Sequence, residues 1–290
     1  MDEPGHRKIH ASPIPLAGGL AVLTGVLAPL LAGAVIALAF ARSRVAGLFE
    51  YGFSVRAVQL LTLTAGAFGM LMIGLRDDRT ELKPLVKFGG QLIVALVVAA
   101  AGTRITLFVP SLLFSYSITA LWILTVVNAF NFMDNMNGLC AGLGALGAGW
   151  IGLIASGQGQ YLVATTAFLA TGALLGFLPF NFPRATAFLG DSGSHLTGYL
   201  LAVLAILPHY YTRRHPLRLA VLTPLLVLAV PLGDLVWVVF LRWKSGKPFY
   251  LGDTNHLSHR LVRRGFTPAR AVGLIWLLAA AAGGLAFLLQ

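Results

Sequence analysis

The sequence predicts an all-α fold, a polytopic bundle of membrane helices, on the strength of three observations. Hydrophobic residues make up 57% of the 290 residues and charged residues only 11%, with a mean hydropathy of +0.82. Soluble proteins carry roughly a quarter charged residues, so a soluble enzyme is excluded, as is a disordered chain. The charges that do occur separate apolar runs of about 20 residues, the length of a membrane-spanning helix. These runs also lack the alternating pattern of a membrane β-barrel.

Nine apolar segments qualify as membrane spans, and we expect them to form one domain over residues 1–290. Charged residues separate most of them, and one break, at Ser156–Gln160, has the polar and glycine residues typical of a turn. The single cysteine, Cys140, excludes an intramolecular disulfide. The predicted spans are 16–41, 55–75, 86–103, 115–132, 138–155, 160–178, 194–210, 217–240 and 269–289.

The positive charges predict the orientation of this bundle. Nine spans place the two termini on opposite sides, and fourteen of the 21 Lys and Arg residues fall in segments on the N-terminal side. Basic residues are enriched in cytoplasmic loops, so we expect the N-terminal side to be cytoplasmic. This distribution also explains most of the net charge of +11 without a nucleic-acid partner.

Most carboxylates lie on the same predicted cytoplasmic side, which membrane crossing alone does not require. Only Glu50 lies on the other side, and only Asp234 is embedded in an apolar span. An embedded carboxylate costs about 2.5–3.5 kcal/mol on insertion scales. Asp234 is therefore either neutral, or paired and facing the interior, and we assign it no catalytic role. The gathered carboxylates indicate a site built from several loops on the cytoplasmic face.

Two of these loops carry paired or regularly spaced polar residues. Asp77 and Asp78 end a span, and such neighbours can hold Mg²⁺ or act as a base, unless they belong to an ordinary solvated loop. Asn128, Asn131 and Asp134 recur every three residues, so they share one face if the segment is helical. Amides in an apolar region need partners. Hydrogen bonding between helices is the alternative to a ligand site.

Two further loops contain an aspartate between glycines and a pair of histidines. Asp191 follows Gly190, where the backbone can approach a ligand closely, and the N-terminus of the next helix favours an anion. A plain helix cap is the alternative. His256 and His259 lie beside Arg260 with no thiolate near, which suits phosphate better than a transition metal. A basic segment on anionic lipid is the alternative. Together the loops predict a site for a Mg²⁺-bound diphosphate at a membrane surface.

These motifs, in this order, resemble the polyprenyl-phosphate N-acetylhexosamine-1-phosphate transferase family, glycosyltransferase family 4. The resemblance covers nearly the whole chain. Each motif alone is weak, and the set together is highly specific. It consists of Asp2–Gly19, Asp77-Asp78 with Lys87 and Gln91, Asn128–Gly138, Gly190–Ser194 and His256–Leu261.

The resemblance implies an activity, a cofactor and partners. It implies transfer of a sugar 1-phosphate from a UDP-N-acetylhexosamine to undecaprenyl or another polyprenyl phosphate, with release of UMP. The segment His256–Leu261, called the histidine loop below, is similar to the corresponding loop of the family branch that transfers GlcNAc 1-phosphate. That branch starts cell-envelope polysaccharides. The implied cofactor is Mg²⁺, with Mn²⁺ as a substitute. The implied location is the bacterial inner membrane, among membrane lipids, with a cytoplasmic active site; the chain could form a homodimer, and no nucleic acid is expected.

The resemblance also implies roles for individual residues. Asp191 would bind the metal ion. The catalytic residues would be Asp77, Asp78 and Lys87. The substrate-binding residues would be Lys8, Asn128, Asn131, Asp134, Asn137, His256, His259 and Arg260.

Three features depart from the family pattern. The family has a span before the segment that Asp2–Gly19 resembles, and this sequence has none. Asn137 stands where Asp is usual, and Ser258 stands where His is common. Two alternatives stay open: an inactive family member, and a transporter of lipid or nucleotide sugar. A transporter would need polar residues near the bilayer midplane, whereas here they cluster at one surface.

Overall fold

The chain folds into an all-α bundle, as predicted. The structure is a computed structural model that describes residues 13–39, 44–208, 210 and 218–290. Over these residues there is no strand, and an isolated bridge joins Leu16 to Phe188. In chain order the helices are α1 (Gly18–Ala39), α2 (Arg44–Thr80), α3 (Pro84–Ala100), α4 (Leu112–Met133), α5 (Leu139–Gly157), α6 (Tyr161–Asn181), α7 (Gly190–Ile206), a 3₁₀ turn (Arg218–Leu222), α8 (Thr223–Val227), α9 (Ala229–Lys244), α10 (Leu257–Arg263) and α11 (Pro268–Leu288).

In the described residues, fewer helices qualify as membrane spans than the nine predicted. Six helices in the described residues are long and apolar enough to cross a membrane, or seven if the bent pair of α8 and α9 is counted as one span. Helices α3 and α7 have 17 residues each. At about 1.5 Å per residue such helices fall short of the roughly 30 Å hydrocarbon core. The polytopic helical class is confirmed, and the count of nine is not.

The predicted span 217–240 is broken rather than continuous. The helices Ala220–Val227 and Ala229–Lys244 meet at an angle of 69°. The break falls at Leu228, three residues before Pro231. Proline has no backbone N–H, so Pro231 cannot donate to the Val227 carbonyl as a continuous helix would require. This bend turns α9 away from α8.

Helix α7 lies at the centre of the bundle and carries polar residues in its first two turns. Residues from Ser192 to Ala205 on this helix are buried. Small residues allow its neighbours to approach closely, a packing device common in membrane proteins. A Cβ added to Gly74 on α2 would lie 2.4 Å from the Ser192 Cα, and one added to Gly19 on α1 would lie 2.7 Å from the Ser192 Oγ. The contacts of α1 and α2 therefore position the start of α7.

Replacing Gly74 by Ala should lower the melting temperature of the detergent-solubilised protein. Overpacking a tight helix crossing costs about 1–3 kcal/mol. The matched control is Gly89→Ala on α3, where an added Cβ has no neighbour within 4 Å. Thermal scans of both variants provide the measurement, and equal melting temperatures would contradict the close crossing of α2 and α7.

Candidate active site

Four helix ends meet at one end of the bundle, around the ammonium group of Lys87. Helix α3 begins with Pro84, which suits the first helical position, and so the chain reverses directly after α2. The Lys87 Nζ consequently lies 2.6 Å from the Asp77 Oδ2 and 3.5 Å from the Asp191 Oδ1. It also donates a hydrogen bond of 3.3 Å to the Asn131 Oδ1. Side chains from α2, α3, α4 and α7, which belong to three separate predicted motifs, thus lie in contact.

The two neighbouring aspartates at the end of α2 have different surroundings. The Asp77 Oδ1 accepts from the Leu82 N–H at 2.7 Å, and its other oxygen contacts Lys87. The Asp78 carboxylate accepts from the backbone N–H groups of Asp191 at 2.7 Å and Ser192 at 3.1 Å. Carboxylates are favoured at helix N-termini, where the first N–H groups lack partners. Asp78 therefore caps α7 from another helix and holds Asp191 in place.

The turn that this cap holds depends on a glycine. Gly190 has φ of +71°, a conformation that side chains rarely adopt. A Cβ at this position would lie 3.0 Å from both Asp78 carboxylate oxygens. The motif around Asp191 therefore begins α7 without capping it with a side chain of its own, because the cap comes from Asp78, and the motif presents the Asp191 carboxylate to Lys87.

The polar face predicted for α4 serves both of the roles considered for it, a ligand site and hydrogen bonding between helices. Asn131 donates to the Asp191 Oδ1 and, at 3.0 Å, to the Ser194 Oγ. Asn128 donates at 2.8 Å to the Gln91 Oε1 on α3. Asn131 therefore belongs to the charged cluster, whereas Asn128 forms a hydrogen bond between helices.

Asp134 follows α4 and faces the turn that precedes Asp191. Burial raises the pKa of the Asp134 carboxyl to about 8, and the negative charges of Asp191 and Asp78 add to the shift, which the Gly190 N–H opposes. At neutral pH the Asp134 carboxyl is therefore mostly protonated when no cation is present. A cation nearby would favour its ionised form.

This shift predicts a pH-dependent stability. The ordinary pKa of the carboxyl is 3.8, so between about pH 4 and about pH 8 the folded state retains a proton that the unfolded state releases. The contribution of Asp134 to the free energy of unfolding is therefore present below about pH 4 and is lost as the pH rises through about 8. With a chelator present, Asp134→Asn should melt close to the wild type at about pH 5 and above it at about pH 8.5. A constant difference in melting temperature across this range would contradict the raised pKa.

Three side chains at this end could hold a metal ion. Asp77, Asp191 and His195 each place a ligand atom within 4.8 Å of the others. The His195 Nδ1 is buried and has no hydrogen-bond partner in the described part of the chain, and its Nε2 lies 3.4 Å from the Gln91 Nε2. Carboxylates suit Mg²⁺ and Mn²⁺, and an imidazole favours later transition metals. The residues therefore fit a divalent cation. Sequence reasoning did not assign His195, although its position four residues after Asp191 places both on one helix face.

The histidine loop forms a second polar cluster beside the end of α4. The Arg242 Nε lies 2.9 Å from the Asp253 Oδ2, and the Arg242 guanidinium stands 4.8 Å from the centre of the Phe132 ring. The Ser258 hydroxyl donates to the Asn135 Oδ1 at 2.6 Å. These contacts fold the segment after α9 back onto α4, beside the turn that carries Asn131 and Asp134.

The histidines of this cluster differ in their partners. The His256 Nδ1 lies 2.6 Å from the Asp234 Oδ2, so Asp234 is paired, one of the two predicted states of this embedded residue. His259 lies with its ring centre 6.4 Å from that of His256. Burial lowers the pKa of His259, and the neighbouring His256 and Arg263 lower it further, which favours a neutral imidazole.

The remaining predicted substrate residues lie at the edge of this region or outside it. The Arg260 guanidinium stands 5.1 Å from the Trp237 ring centre, and its Nε is buried with no hydrogen-bond partner among the residues described. Asn137 donates at 3.2 Å to the Pro183 carbonyl. Lys8 lies outside the described residues.

The fold and the site define a multi-pass helical membrane protein with carboxylates, a lysine and histidines gathered at one end of the bundle. The family model described as glycosyl transferase family 4 matches residues 60–209. The chain belongs to this family, which confirms the resemblance drawn from its motifs.

Curated relatives match nearly the whole chain. A probable undecaprenyl-phosphate N-acetylglucosaminyl 1-phosphate transferase of Bacillus subtilis is 30% identical over 286 residues, 96% of this chain and 74% of the relative. A decaprenyl-phosphate N-acetylglucosaminephosphotransferase of Mycobacterium leprae is 35% identical, covering 94% of this chain and 73% of the relative. An undecaprenyl-phosphate alpha-N-acetylglucosaminyl 1-phosphate transferase of Escherichia coli K12 is 28% identical, covering 97% and 74%.

Proposed function

We propose that this chain transfers GlcNAc 1-phosphate from UDP-GlcNAc to a membrane polyprenyl phosphate and releases UMP. The names of its relatives support the sugar phosphate and the polyprenyl acceptor. The observation that carries the proposal is the contact of Lys87 with Asp77 and Asp191 at the end of a membrane bundle. A cation between carboxylates, next to a membrane, suits a reaction that joins two phosphate-bearing substrates, one of them a lipid.

A divalent cation, Mg²⁺ or Mn²⁺, is part of this proposal. Asp191 and Asp77 would hold it, with His195 as the third ligand. When bound, such an ion neutralises charge on a diphosphate and orients it. Asn131, which donates to Asp191, would keep that carboxylate aligned. Asp78 would act through the cap on α7 rather than by touching a substrate.

The chain's own cations and amides would bind the two substrates. Lys87 would bind the phosphate of the lipid acceptor, whose oxygen attacks the sugar-linked phosphorus while UMP leaves. Asp77, at 2.6 Å from the Lys87 Nζ, would align that acceptor. His256, His259 and Arg260 would contact the diphosphate. These assignments use charge-assisted hydrogen bonds, the strong class of phosphate contact.

The remaining substrate assignments concern the nucleotide. Asn131, Asp134 and Asn137 would line its pocket, and Asn128 would support them through Gln91. Asn137 is half-buried and its amide nitrogen donates to the Pro183 carbonyl, and its amide oxygen would face the nucleotide. Lys8 would belong to the first cytoplasmic loop.

We place this single-domain enzyme in the bacterial inner membrane with its site on the cytoplasmic face. The bias of Lys and Arg toward one side, counted with the nine predicted spans, supports that orientation. The product, a lipid-linked sugar phosphate, would start a cell-envelope polysaccharide. An assay with a panel of UDP-N-acetylhexosamines would identify which of these donors the enzyme uses.

The test is a transfer assay in lipid nanodiscs with undecaprenyl phosphate, Mg²⁺ and radiolabelled UDP-GlcNAc. We expect a labelled lipid and an equal amount of UMP, both abolished by a chelator and by Asp77→Asn. UDP-GalNAc is the competing donor. Flux of label into sealed vesicles without a labelled lipid would instead identify a transporter and would refute the transferase.

A further inference from the structure

Asp234 is a buried carboxylate whose two oxygens both bind the histidine loop. The residue is 4% exposed and lies on α9. Its Oδ2 lies 2.6 Å from the His256 Nδ1, and its Oδ1 accepts from the Leu257 N–H at 2.6 Å. A buried charge is strongly unfavourable unless it is paired and hydrogen-bonded. Both requirements are met by two consecutive residues 22 and 23 positions later in the chain.

This pairing determines which ring nitrogen of His256 carries a hydrogen. An ionised carboxylate only accepts hydrogen bonds, so the Nδ1 must be the donor. The Nε2 is then left for a ligand, as an acceptor in the neutral ring and as a donor in the cationic ring. An uncharged amide at position 234 could instead donate to the Nδ1 and move the hydrogen to the Nε2.

The ring of His256 is held on several sides, so its orientation is defined as well as its tautomer. The residue is 5% exposed, and its ring meets the Phe132 ring edge-on at 5.5 Å between centres. Phe132 follows Asn131, which contacts Asp191. The Leu257 N–H group, which donates its hydrogen bond to Asp234, belongs to the first residue of α10. One carboxylate therefore fixes both the start of α10 and the ring that precedes it.

We infer that Asp234 is a positioning residue for phosphate transfer, which keeps the hydrogen of His256 on Nδ1 and leaves its Nε2 for the phosphate-bearing substrate. The inference rests on the proposed function for its kinetic consequence. The tautomer itself depends only on the contact between Asp234 and His256. Carboxylates that orient a metal-binding histidine typically change activity by about 10–100-fold when they are removed, and we expect an effect of that size here.

The first measurement is the tautomer of His256 in the full-length wild-type protein. Nitrogen and carbon NMR shifts of labelled histidine distinguish the two tautomers, and the His256 signal is identified by its loss in His256→Gln. We expect the Nδ1–H form, or the cation, in the wild type and the Nε2–H form in Asp234→Asn. An Nε2–H form in the wild type would overturn the inference, and this result needs no variant of Asp234 to fold.

The second measurement asks whether Asp234 acts through His256. We expect Asp234→Asn to lower kcat by about 10–100-fold and His256→Gln to lower it by at least as much. The double variant should be no slower than His256→Gln, because residues that act as a unit are not additive. Losses that multiply in the double variant would mean that Asp234 acts independently of His256, and would refute the inference.

Asp253→Asn is the matched control within the same loop. Asp253 binds Arg242 and the Asn255 N–H and has no hydrogen bond to His256 in the described residues. This variant should leave the Nδ1–H form unchanged, and its effect on kcat should multiply with that of His256→Gln. An Nε2–H form in Asp253→Asn would show that any loosening of the loop moves the hydrogen, which contradicts a specific role for Asp234.

The two measurements also separate this inference from the proposed function. If the wild type makes no lipid-linked product, the transferase proposal and its kinetic consequence fail together. The NMR measurement would still decide whether Asp234 sets the tautomer of His256. If transfer occurs but Asp234→Asn keeps wild-type kcat in folded protein, the positioning role alone fails.

Discussion

Replacing Asp191 by Asn should lower kcat/KM for lipid-linked product by at least about 10³-fold, the largest effect we expect from a single substitution. Asp191 is the residue on which the others converge. Its Oδ1 contacts the Lys87 ammonium at 3.5 Å and accepts from Asn131, and its carboxylate belongs to the candidate metal group. The Asn side chain keeps the shape of this group and removes the charge that would hold a divalent cation.

The control for this prediction removes a carboxylate at the same end of the bundle. Glu81→Gln changes the net charge by the same amount at an exposed position between α2 and α3. It should keep near wild-type kcat/KM. Binding of Mn²⁺, followed by electron paramagnetic resonance, should weaken in Asp191→Asn and stay unchanged in Glu81→Gln. Wild-type turnover by folded Asp191→Asn would exclude Asp191 from the reaction.

Replacing Lys87 by Met should lower kcat by about 10²–10³-fold, the range found when one preorganised donor to a reacting oxyanion is lost. The Lys87 ammonium is the only described cation that bridges Asp77 and Asp191, at 2.6 and 3.5 Å. Methionine keeps much of the length of the side chain without its charge. The loss should appear with the lipid acceptor at saturation, because the missing charge faces a phosphate that reacts.

The affinity for Mn²⁺ distinguishes the effect of Lys87→Met from that of Asp191→Asn. Without the ammonium, Asp77 and Asp191 no longer have a competing cation, so Lys87→Met should bind Mn²⁺ at least as tightly as the wild type. Lys83→Met, at an exposed position before α3, is the matched control and should retain turnover. Weaker Mn²⁺ binding in Lys87→Met would contradict the arrangement of one lysine between two carboxylates.

The membrane class and much of the site could be predicted because each depends on composition or local spacing. Apolar runs must be helical in lipid, where every backbone group needs an internal partner. Polar residues at the ends of apolar runs need partners or a functional role, and this rule selected Asp77, Lys87, Asn131 and Asp191. The structure brings these four residues into contact, as the prediction of one site built from several loops requires.

The count of spans and several residue roles could not be predicted, because they depend on partners distant in the chain. Asp77 and Asp78 look equivalent in sequence, yet one contacts Lys87 and the other caps α7 at residues 113 and 114 positions away. The 69° bend between α8 and α9 and the 17 residues of α3 leave two of the predicted spans without one continuous helix of spanning length. Hydropathy records the polarity of a segment and carries no information about its direction.

By itself the sequence determined that this protein is a helical membrane protein with an acidic and basic cluster on one face, because burial in lipid constrains composition directly. Only the tertiary structure decided which oxygen of which carboxylate meets which partner. It paired the embedded Asp234 with His256, and it brought Asp77 beside Asp191 and His195 of α7. The contact of Asp77 with α7 joins two helices that are far apart in the chain, and its short distance follows from packing against α7 rather than from any local pattern.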